Sequence, residues 1–200
     1  MSTIIKTEVF LFDELTDEAK EKAREWYREG ALDYEWWEFI YETAKTAGTC
    51  LGIDVDQIYF SGFWSQGDGA CFTGSYAYRK GWRKALRAEF GGETLDKLTT
   101  IGEALQAAQK PAFYKLAASV KNTNRGNDEY SVTIDVDTRD VPETGGRADE
   151  DELAYTLRSF MRWIYRQLEA EYDWLMSDEQ VDESIRANEY TFTVDGKRFG

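Results

Sequence analysis

The stretch that decides the fold is Ile58-Tyr-Phe-Ser-Gly-Phe-Trp-Ser-Gln-Gly-Asp-Gly-Ala-Cys-Phe-Thr-Gly-Ser-Tyr-Ala-Tyr78. Its first three residues are β-branched or aromatic, which suits a half-buried strand. Its last nine residues alternate in character, which is the period of a strand. Between the two runs, residues 61–69 are polar and rich in glycine. The stretch therefore predicts two antiparallel strands joined by a flexible loop.

The loop of this hairpin carries unusual residues for a connection. Glycines permit positive φ and leave backbone N–H groups open to an anion. Phe63 and Trp64 lie among them, so either the tip folds back on the core or the rings form a stacking surface. The loop lacks the Gly-Lys-Ser/Thr ending of a phosphate-binding loop. We take Trp64, Gln66 and Asp68 as candidate ligand-binding residues.

The rest of the chain alternates between helical and strand patterns. Helices are predicted near residues 16–29, 33–46, 79–90, 95–109, 149–175 and 177–187, and further strands near residues 3–12, 112–121, 129–137 and 190–194. This order predicts the α+β class, with an antiparallel sheet built from hairpins and packed on one face by several helices, including one long C-terminal helix. Residues 138–148 predict an internal linker within a single domain of residues 1–200.

Composition limits the classes of function. The formal net charge is −14, which disfavours binding of long nucleic acid because phosphates would be repelled. Histidine is absent, which removes the commonest general base and zinc ligand, and two cysteines are too few for a disulfide framework. No signal-peptide layout or membrane-length apolar run is present. We expect a cytoplasmic protein without cofactor, metal or membrane contact.

Two basic clusters stand out in this acidic chain. The first has no intervening acid and consists of Arg79, Lys80, Arg83, Lys84 and Arg87. The second lies on the predicted long helix and consists of Arg158, Arg162 and Arg166. Like charges at helical spacing repel one another, so each cluster needs a partner. Guanidinium groups suit bidentate contacts with carboxylates or phosphates.

Two interpretations of the basic clusters remain open. They neutralise some of the protein's own 38 acids, or they bind a small anionic nucleotide beside aromatic rings that stack the base. Ring candidates are Phe63, Trp64, Trp82 and Tyr155. The second interpretation predicts a ligand site built from Trp64, Gln66, Asp68, Arg79, Arg83, Arg87, Arg158, Arg162 and Arg166.

Other constellations are weaker. Aspartates two residues apart, Asp54 with Asp56 and Asp135 with Asp137, would suit Mg²⁺ or Ca²⁺, but they also suit solvated strand ends. Cys71 has no histidine to activate it, so we expect it to be buried. The polar cluster in residues 185–190 suits the end of a helix.

Several motifs resemble a family of small phage and prophage proteins often labelled "antitoxin of toxin–antitoxin stability system". They are Phe12-Asp-Glu-Leu-Thr-Asp-Glu-Ala-Lys-Glu-Lys-Ala-Arg-Glu-Trp-Tyr27, Tyr34-Glu-Trp-Trp37, the hairpin through Phe72, and Ile185-Arg-Ala-Asn-Glu-Tyr190. The resemblance implies a phage-encoded accessory protein in the bacterial cytoplasm that neutralises a host defence or toxin. It implies no catalytic residues.

Three functional hypotheses follow. The leading one is a non-enzymatic protein that sequesters a small nucleotide-like immune signal. The alternative is an acidic, antitoxin-like inhibitor whose helices between Asp13 and Glu42 bind a host defence or toxin protein. The third is a metal-dependent nucleotide hydrolase that uses the aspartate pairs. The sequence does not determine the oligomeric state.

Overall fold

A computed structural model describes residues 6–123, 126–142 and 150–200. Its contacts divide the chain into two compact units, one formed by residues 1–36 with 170–200 and the other by residues 37–169. The single domain expected from the sequence stays a prediction. Within the expected linker, residues 138–142 form no helix or strand, and residues 143–148 lie outside the described part of the chain.

The larger unit confirms the α+β class with its antiparallel hairpin sheet. It contains a four-stranded sheet in the order β2-β3-β4-β5, with all neighbours antiparallel. The strands are β2 (Ile53–Phe60), β3 (Ala70–Ala77), β4 (Ala117–Asn122) and β5 (Val132–Asp137). The helices are α2 (Glu38–Leu51), α3 (Trp82–Glu89), α4 (Gly92–Gln109) and most of α5 (Glu150–Leu175).

The long helix α5 packs against this sheet through its apolar face. Phe160 meets Phe72 of β3 edge to face, with ring centroids 5.9 Å apart, and Leu153, Leu157 and Ile164 are fully buried. Leucine, phenylalanine and isoleucine at helical spacing give the helix one continuous buried stripe. The spacing seen in the sequence therefore predicted both the helix and the side on which it packs.

The hairpin of β2 and β3 is confirmed, and it contains an obligatory glycine. A Cβ on Gly74 would lie 1.9 Å from the carbonyl oxygen of Asp54 on the paired strand, so only glycine fits there. Next to this pair the register shifts between Val55 and Gln57, which is a β-bulge. The bulge adds one residue to β2 relative to β3.

The predicted bounds of the second helix are wrong at both ends. The helix α2 begins at Glu38 rather than near residue 33, and it continues past Gly48 to Leu51. It stops at Gly52, which has φ 86° and donates its N–H to the carbonyl of Gly48. Gly48 lies within the helix and close to β2. A Cβ at this position would lie only 2.8 Å from the carbonyl oxygen of Ile53, so glycine allows the close approach.

The predicted strand at residues 112–121 starts late, because a tight loop precedes it. In this loop Phe113 and Tyr114 have φ of 53° and 62°, a region that costs non-glycine residues about 1–3 kcal/mol each. The fully buried Gln109 closes the loop: its Nε2 donates to the carbonyl of Leu116 at 2.7 Å, and its Oε1 accepts from the Leu116 N–H at 3.1 Å. The strand β4 begins only after this clamp.

The smaller unit joins helices α1 (Asp17–Gly30) and α6 (Asp178–Ala187) to a three-stranded sheet in the order β1-β6-β7. Its strands are two residues each: β1 (Phe10–Leu11), β6 (Thr191–Phe192) and β7 (Arg198–Phe199). The side chains of Thr16 and Ser177 cap these two helices, since each accepts a backbone N–H group.

Two strand predictions in this unit need correction. The first strand was expected over residues 3–12, but residues 6–9 are not strand and residues 3–5 lie outside the described chain. The strand β7 was missed, because a two-residue strand has no measurable alternation. The polar cluster at residues 185–190 ends α6: Glu189 adopts φ 52°, and Arg186 donates to Asp13 at 2.9 Å.

Candidate functional site

A groove between α4 and α5 collects polar and cationic side chains. Its volume is about 300 Å³, and it is lined by Lys97, Thr100, Ile101, Ser159, Arg162, Trp163 and Arg166. The residues from α4 lie at spacings of three and four, and so do those from α5, so each helix presents one face to the groove. Two helical faces with three cations between them form a site suited to an anion.

Trp163 lies in this groove with an unsatisfied donor. Its side chain is 6% exposed, and its ring stacks on Phe160 with centroids 5.5 Å apart. Its Nε1 is the one buried side-chain nitrogen or oxygen among the described residues that has no hydrogen-bond partner. Leaving such a group unpaired costs about 1–3 kcal/mol, so buried donors are nearly always matched by an acceptor.

The cations of the groove each have one carboxylate neighbour. Arg162 Nη1 lies 3.4 Å from Glu129, Lys97 Nζ lies 2.9 Å from Glu93, and Arg166 pairs with Glu169. The last pair raises the pKa of Arg166 above its ordinary value because the carboxylate stabilises the charged form. A guanidinium has five N–H donors, so these contacts leave others for a ligand.

The hairpin tip lies against the same helix. Phe63 packs on Tyr165 of α5 with centroids 5.6 Å apart, and the Tyr165 hydroxyl donates to the Gly62 carbonyl at 3.2 Å. The Asp68 carboxylate closes the loop by accepting the backbone N–H of Trp64 at 2.9 Å. The Trp64 side chain is 75% exposed. The tip is therefore anchored through Phe63, while Trp64 faces outward.

The structure brings only part of the predicted ligand-binding set together. Arg158, Arg162 and Arg166 follow one another along α5, close to the hairpin tip that carries Trp64, Gln66 and Asp68. Arg158 donates to the carbonyl of Glu129 at 3.2 Å, in the turn before β5. Of the nine predicted residues, Arg162 and Arg166 line the groove.

The three arginines around α3 lie elsewhere. Arg79 donates to the carbonyl of Thr49 at the end of α2, Arg83 binds Glu103 of α4 at 2.9 Å, and Arg87 is exposed on α3. None of the three lines the groove. The roles assigned to all nine residues from the sequence stay predictions.

Five groove residues were not singled out from the sequence: Lys97, Thr100, Ile101, Ser159 and Trp163. Trp163 falls beside the apolar stripe of α5 and looks like an ordinary core residue. Lys97 and Thr100 lie on a helix whose pattern gave no hint of a site. The available signal was their spacing of three, which turns both toward one side, but that signal needs the neighbouring helix to be known.

The aspartate pairs do not meet. Asp54 lies on β2 and Asp135 on β5, at opposite edges of the sheet, joined by a cross-strand row through Ser75 and Ser119. Three strand spacings separate them by about 14 Å. In residues 6–123, 126–142 and 150–200, no three His, Cys, Asp or Glu side chains are placed to hold a metal ion.

The two cysteines are free and buried, as expected for Cys71. Burial raises the pKa of the Cys71 thiol to about 11, so the thiol stays protonated near neutral pH. None of the helices in the described part of the chain is long and apolar enough to cross a membrane.

Comparison with known proteins identifies a family but no function. Residues 36–178 match the model of a family described as a domain of unknown function, DUF8835. No curated protein and no solved structure shows a significant match to the chain.

Proposed function

The chain belongs to the DUF8835 family, whose description names no activity, and we propose that it binds a small, anionic, nucleotide-like ligand in the groove between α4 and α5 without catalysis. The observation that carries this proposal is the buried Trp163 N–H without an acceptor, in a groove lined by Lys97, Arg162 and Arg166. A phosphate or carboxylate oxygen balances the cations, and it accepts the Trp163 N–H once the side chains that cover this buried atom move aside.

The chemistry of the lining residues indicates how such a ligand sits. Arg162 and Arg166 offer paired N–H donors to phosphate oxygens, while Lys97 adds a point charge from the opposite helix. Tyr155 lies two turns before Arg162 and is 58% exposed. The Arg162 guanidinium lies over its ring, 5.1 Å from the ring centroid. Its open ring face is available for a base, and guanidinium–ring contact favours such stacking.

The existing ion pairs do not prevent binding. The Arg166 side chain and its partner Glu169 remain partly in water, and such pairs contribute only about 0–1 kcal/mol. A phosphate that accepts two parallel N–H bonds from one guanidinium makes a stronger contact. The ligand therefore replaces weak carboxylate contacts with stronger ones, and Trp163 gains its acceptor.

The biological setting of the proposal comes from the sequence resemblance. A phage accessory protein that holds a nucleotide signal out of solution would blunt a host defence without cutting the signal. The lack of histidine and the protonated Cys71 thiol fit capture better than hydrolysis. The ligand class proposed is accordingly a cyclic dinucleotide or an ADP-ribose derivative.

Titration calorimetry against these ligands, with inorganic phosphate as a simple anion, tests the proposal. Arg166→Gln should weaken binding at least about tenfold, because a charge-assisted phosphate contact contributes about 1.5–3 kcal/mol. Arg139→Gln is the matched control, since Arg139 is also an exposed arginine paired with an acid, Asp137, and lies away from the groove. Absence of heat with every ligand would contradict the proposal.

The substitution Trp163→Phe separates a ligand contact from a structural role. It keeps an aromatic ring for stacking on Phe160, and the gain from removing the unpaired donor offsets part of the cost of the cavity that the smaller ring leaves, so the free energy of unfolding should change little. Ligand affinity should fall about tenfold as the acceptor loses its donor. Unchanged affinity would show that the indole N–H is not used.

A second candidate function is a protein inhibitor that uses the acidic surface of α1. Arg24 and Arg28 of this helix are held by Asp182 and Asp178 of the same unit. Four exposed acids of α1 have no cation within 4.0 Å among the described residues: Asp17, Glu18, Glu25 and Glu29. This surface fits a basic host protein. A stoichiometric partner recovered from lysate, lost at high salt and with Glu25→Lys/Glu29→Lys, supports this candidate.

A further inference from the structure

A second surface combines cations and aromatic rings, away from the groove. It comprises the connection between β3 and α3, the outer face of α3 and the loop between α4 and β4, with the residues Tyr78, Lys80, Lys84, Arg87, Lys110, Phe113, Tyr114 and Lys115. We refer to it as the basic–aromatic surface. None of its five cations has a carboxylate within 4.0 Å in the described part of the chain. In a molecule with 38 acids, five cations without a carboxylate neighbour leave this surface open to an external anion.

The helix α3 turns its cations outward because its apolar residues are fixed inward. Trp82 and Leu86 are buried, and Trp82 Nε1 donates to Gln106 of α4 at 2.9 Å. At helical spacing, Lys84 and Arg87 then lie on the outer face of α3, and Lys80 precedes the helix in the turn at Gly81. These charges repel one another, and those in the first turn also oppose the helix dipole. The arrangement is unfavourable for folding, which points to a use in binding.

The loop presents its rings in a fixed and strained conformation. Phe113 is 53% exposed and Tyr114 is 37% exposed, and both residues have positive φ. The Gln109 clamp on Leu116 holds this loop closed. Strained residues at a surface are retained where their position matters. The loop thus holds two partly exposed rings at the surface, with Lys110 and Lys115 at its ends.

The helix and the loop are adjacent. Tyr78, two residues before Lys80 in the chain, packs on Tyr114 with ring centroids 4.5 Å apart and ring planes tilted by 40°. Ala77 pairs with Ala117, so the segments that leave β3 and enter β4 run side by side. The Trp82–Gln106 bond places the start of α3 beside the last turn of α4, which leads into Lys110. Cations and rings therefore belong to one continuous surface.

We propose that the basic–aromatic surface binds a short stretch of single-stranded nucleic acid. Bases stack on Phe113 and Tyr114, and phosphates contact Lys80, Lys84, Arg87, Lys110 and Lys115. Combined rings and cations are the features of sequence-tolerant single-strand sites, because every base has a flat face. An acidic protein segment would satisfy the cations but has no need of two exposed rings. The net charge of −14 repels phosphates beyond the surface and so limits the bound length.

Fluorescence anisotropy with a labelled oligothymidylate of about 15 nucleotides tests this site on the full chain. We expect binding at about 50 mM salt that weakens with salt at a log–log slope of about −0.7 for each phosphate contact. Lys80→Glu/Lys84→Glu should abolish binding. Phe113→Ala, which leaves the charge unchanged, should weaken binding about 5- to 100-fold.

The matched control is Lys6→Glu/Lys22→Glu. Both double variants take the net charge from −14 to −18, since each substitution replaces +1 with −1, but the control changes exposed lysines elsewhere. The control should keep wild-type affinity. No anisotropy change with the wild type, an equal loss in the control, or binding of a glutamate-rich peptide instead of the oligonucleotide would each overturn the proposal. None of these variants touches the α4–α5 groove, so its ligand binding is a separate readout.

Discussion

At the residue scale, Gln109 shows how one buried amide fixes a segment of backbone. Its two groups pair with both backbone groups of Leu116, as a neighbouring strand would. The Tyr76 hydroxyl lies 3.4 Å from the same amide. A fully buried glutamine with three partners is a structural element of the core, and it allows the strained loop that presents Phe113 and Tyr114.

Replacing Gln109 should therefore be costly. Gln109→Leu keeps the size of the side chain but leaves the Leu116 N–H and carbonyl unpaired, which should lower the free energy of unfolding by about 2–4 kcal/mol. Urea denaturation measures this change in the free energy of unfolding. Glu103→Gln on the same helix is the control; it breaks only the exposed pair with Arg83, worth about 0–1 kcal/mol. Equal effects of the two substitutions would contradict the clamp.

Residue identity alone predicted some of these roles and not others. Cys71 could be predicted as buried because no histidine exists to activate it. The role of Gln109 could not be predicted, since polar residues late in a helix are usually exposed. Of the partners of the α5 arginines, Glu169 could be predicted because it follows Arg166 by three residues on the same helix, whereas Glu129 could not because it comes from a distant turn.

At the element scale, α3 is attached to α4 through a glycine. Gly102 lies inside α4, and a Cβ there would meet Trp82 Cζ3 at 2.4 Å. The ring of Trp82 is in this position because its Nε1 is bound to Gln106, one turn away. The close approach of the helix backbone to an indole ring is what buries Trp82 and fixes the orientation of α3.

Gly102→Ala should reverse the usual effect of alanine in a helix. Alanine in a helix interior normally stabilises by about 1 kcal/mol relative to glycine. Here the added methyl group overpacks Trp82, so thermal unfolding should show a loss of about 1–3 kcal/mol. Gly30→Ala is the comparison, since its Cβ would have no neighbour closer than 3.8 Å. A stabilised Gly102→Ala protein would refute the contact.

Elements with strong periodicity were predicted well, and those fixed by tertiary contacts were not. The stripe of α5 and the β2–β3 hairpin carry their own signals in the sequence. The C-terminal end of α2 depended on which of two glycines is left-handed: Gly52 has φ 86°, whereas Gly48 lies within the helix and packs against β2. The start of β4 depended on the distant amide of Gln109 in the same way.

At the scale of the whole molecule, the two basic clusters differ in how their cations are paired with acids of this chain. Arg162 and Arg166 on α5 each have an acid of this chain beside them. Lys80, Lys84 and Arg87 around α3 have none among the described residues. The sequence could not distinguish these cases, because composition counts charges without placing them.

Stability at alkaline pH should reflect two buried groups of the larger unit. Burial raises the pKa of Cys71 from 9.0 to about 11 and that of Tyr76 from 10.0 to about 12. Between about pH 9 and 12 the unfolded chain releases protons that the folded chain keeps, so stability falls as pH rises, by up to about 1.4 kcal/mol per group and pH unit. Below pH 9 the folded protein keeps the full stabilisation that these two raised pKa values provide.

Denaturant titrations from pH 8 upward measure this slope. Cys71→Ala should reduce the fall in stability at the lower end of this pH range, and Tyr76→Phe should reduce it at the upper end. Both effects are expected whatever either substitution does to stability at neutral pH. An unchanged slope in both variants would assign the alkaline loss to other groups.

The helix α3 has a further consequence for local order. It is only eight residues long, its N-cap is Gly81 without a side-chain bond, and its outer face carries repelling cations. Such a helix opens locally more often than its neighbours, so its amide protons exchange faster with solvent than those of α4. Dissolved anions gather near the cations and weaken their repulsion. Raising the ionic strength thus slows this exchange, and a bound polyanion orders the helix further.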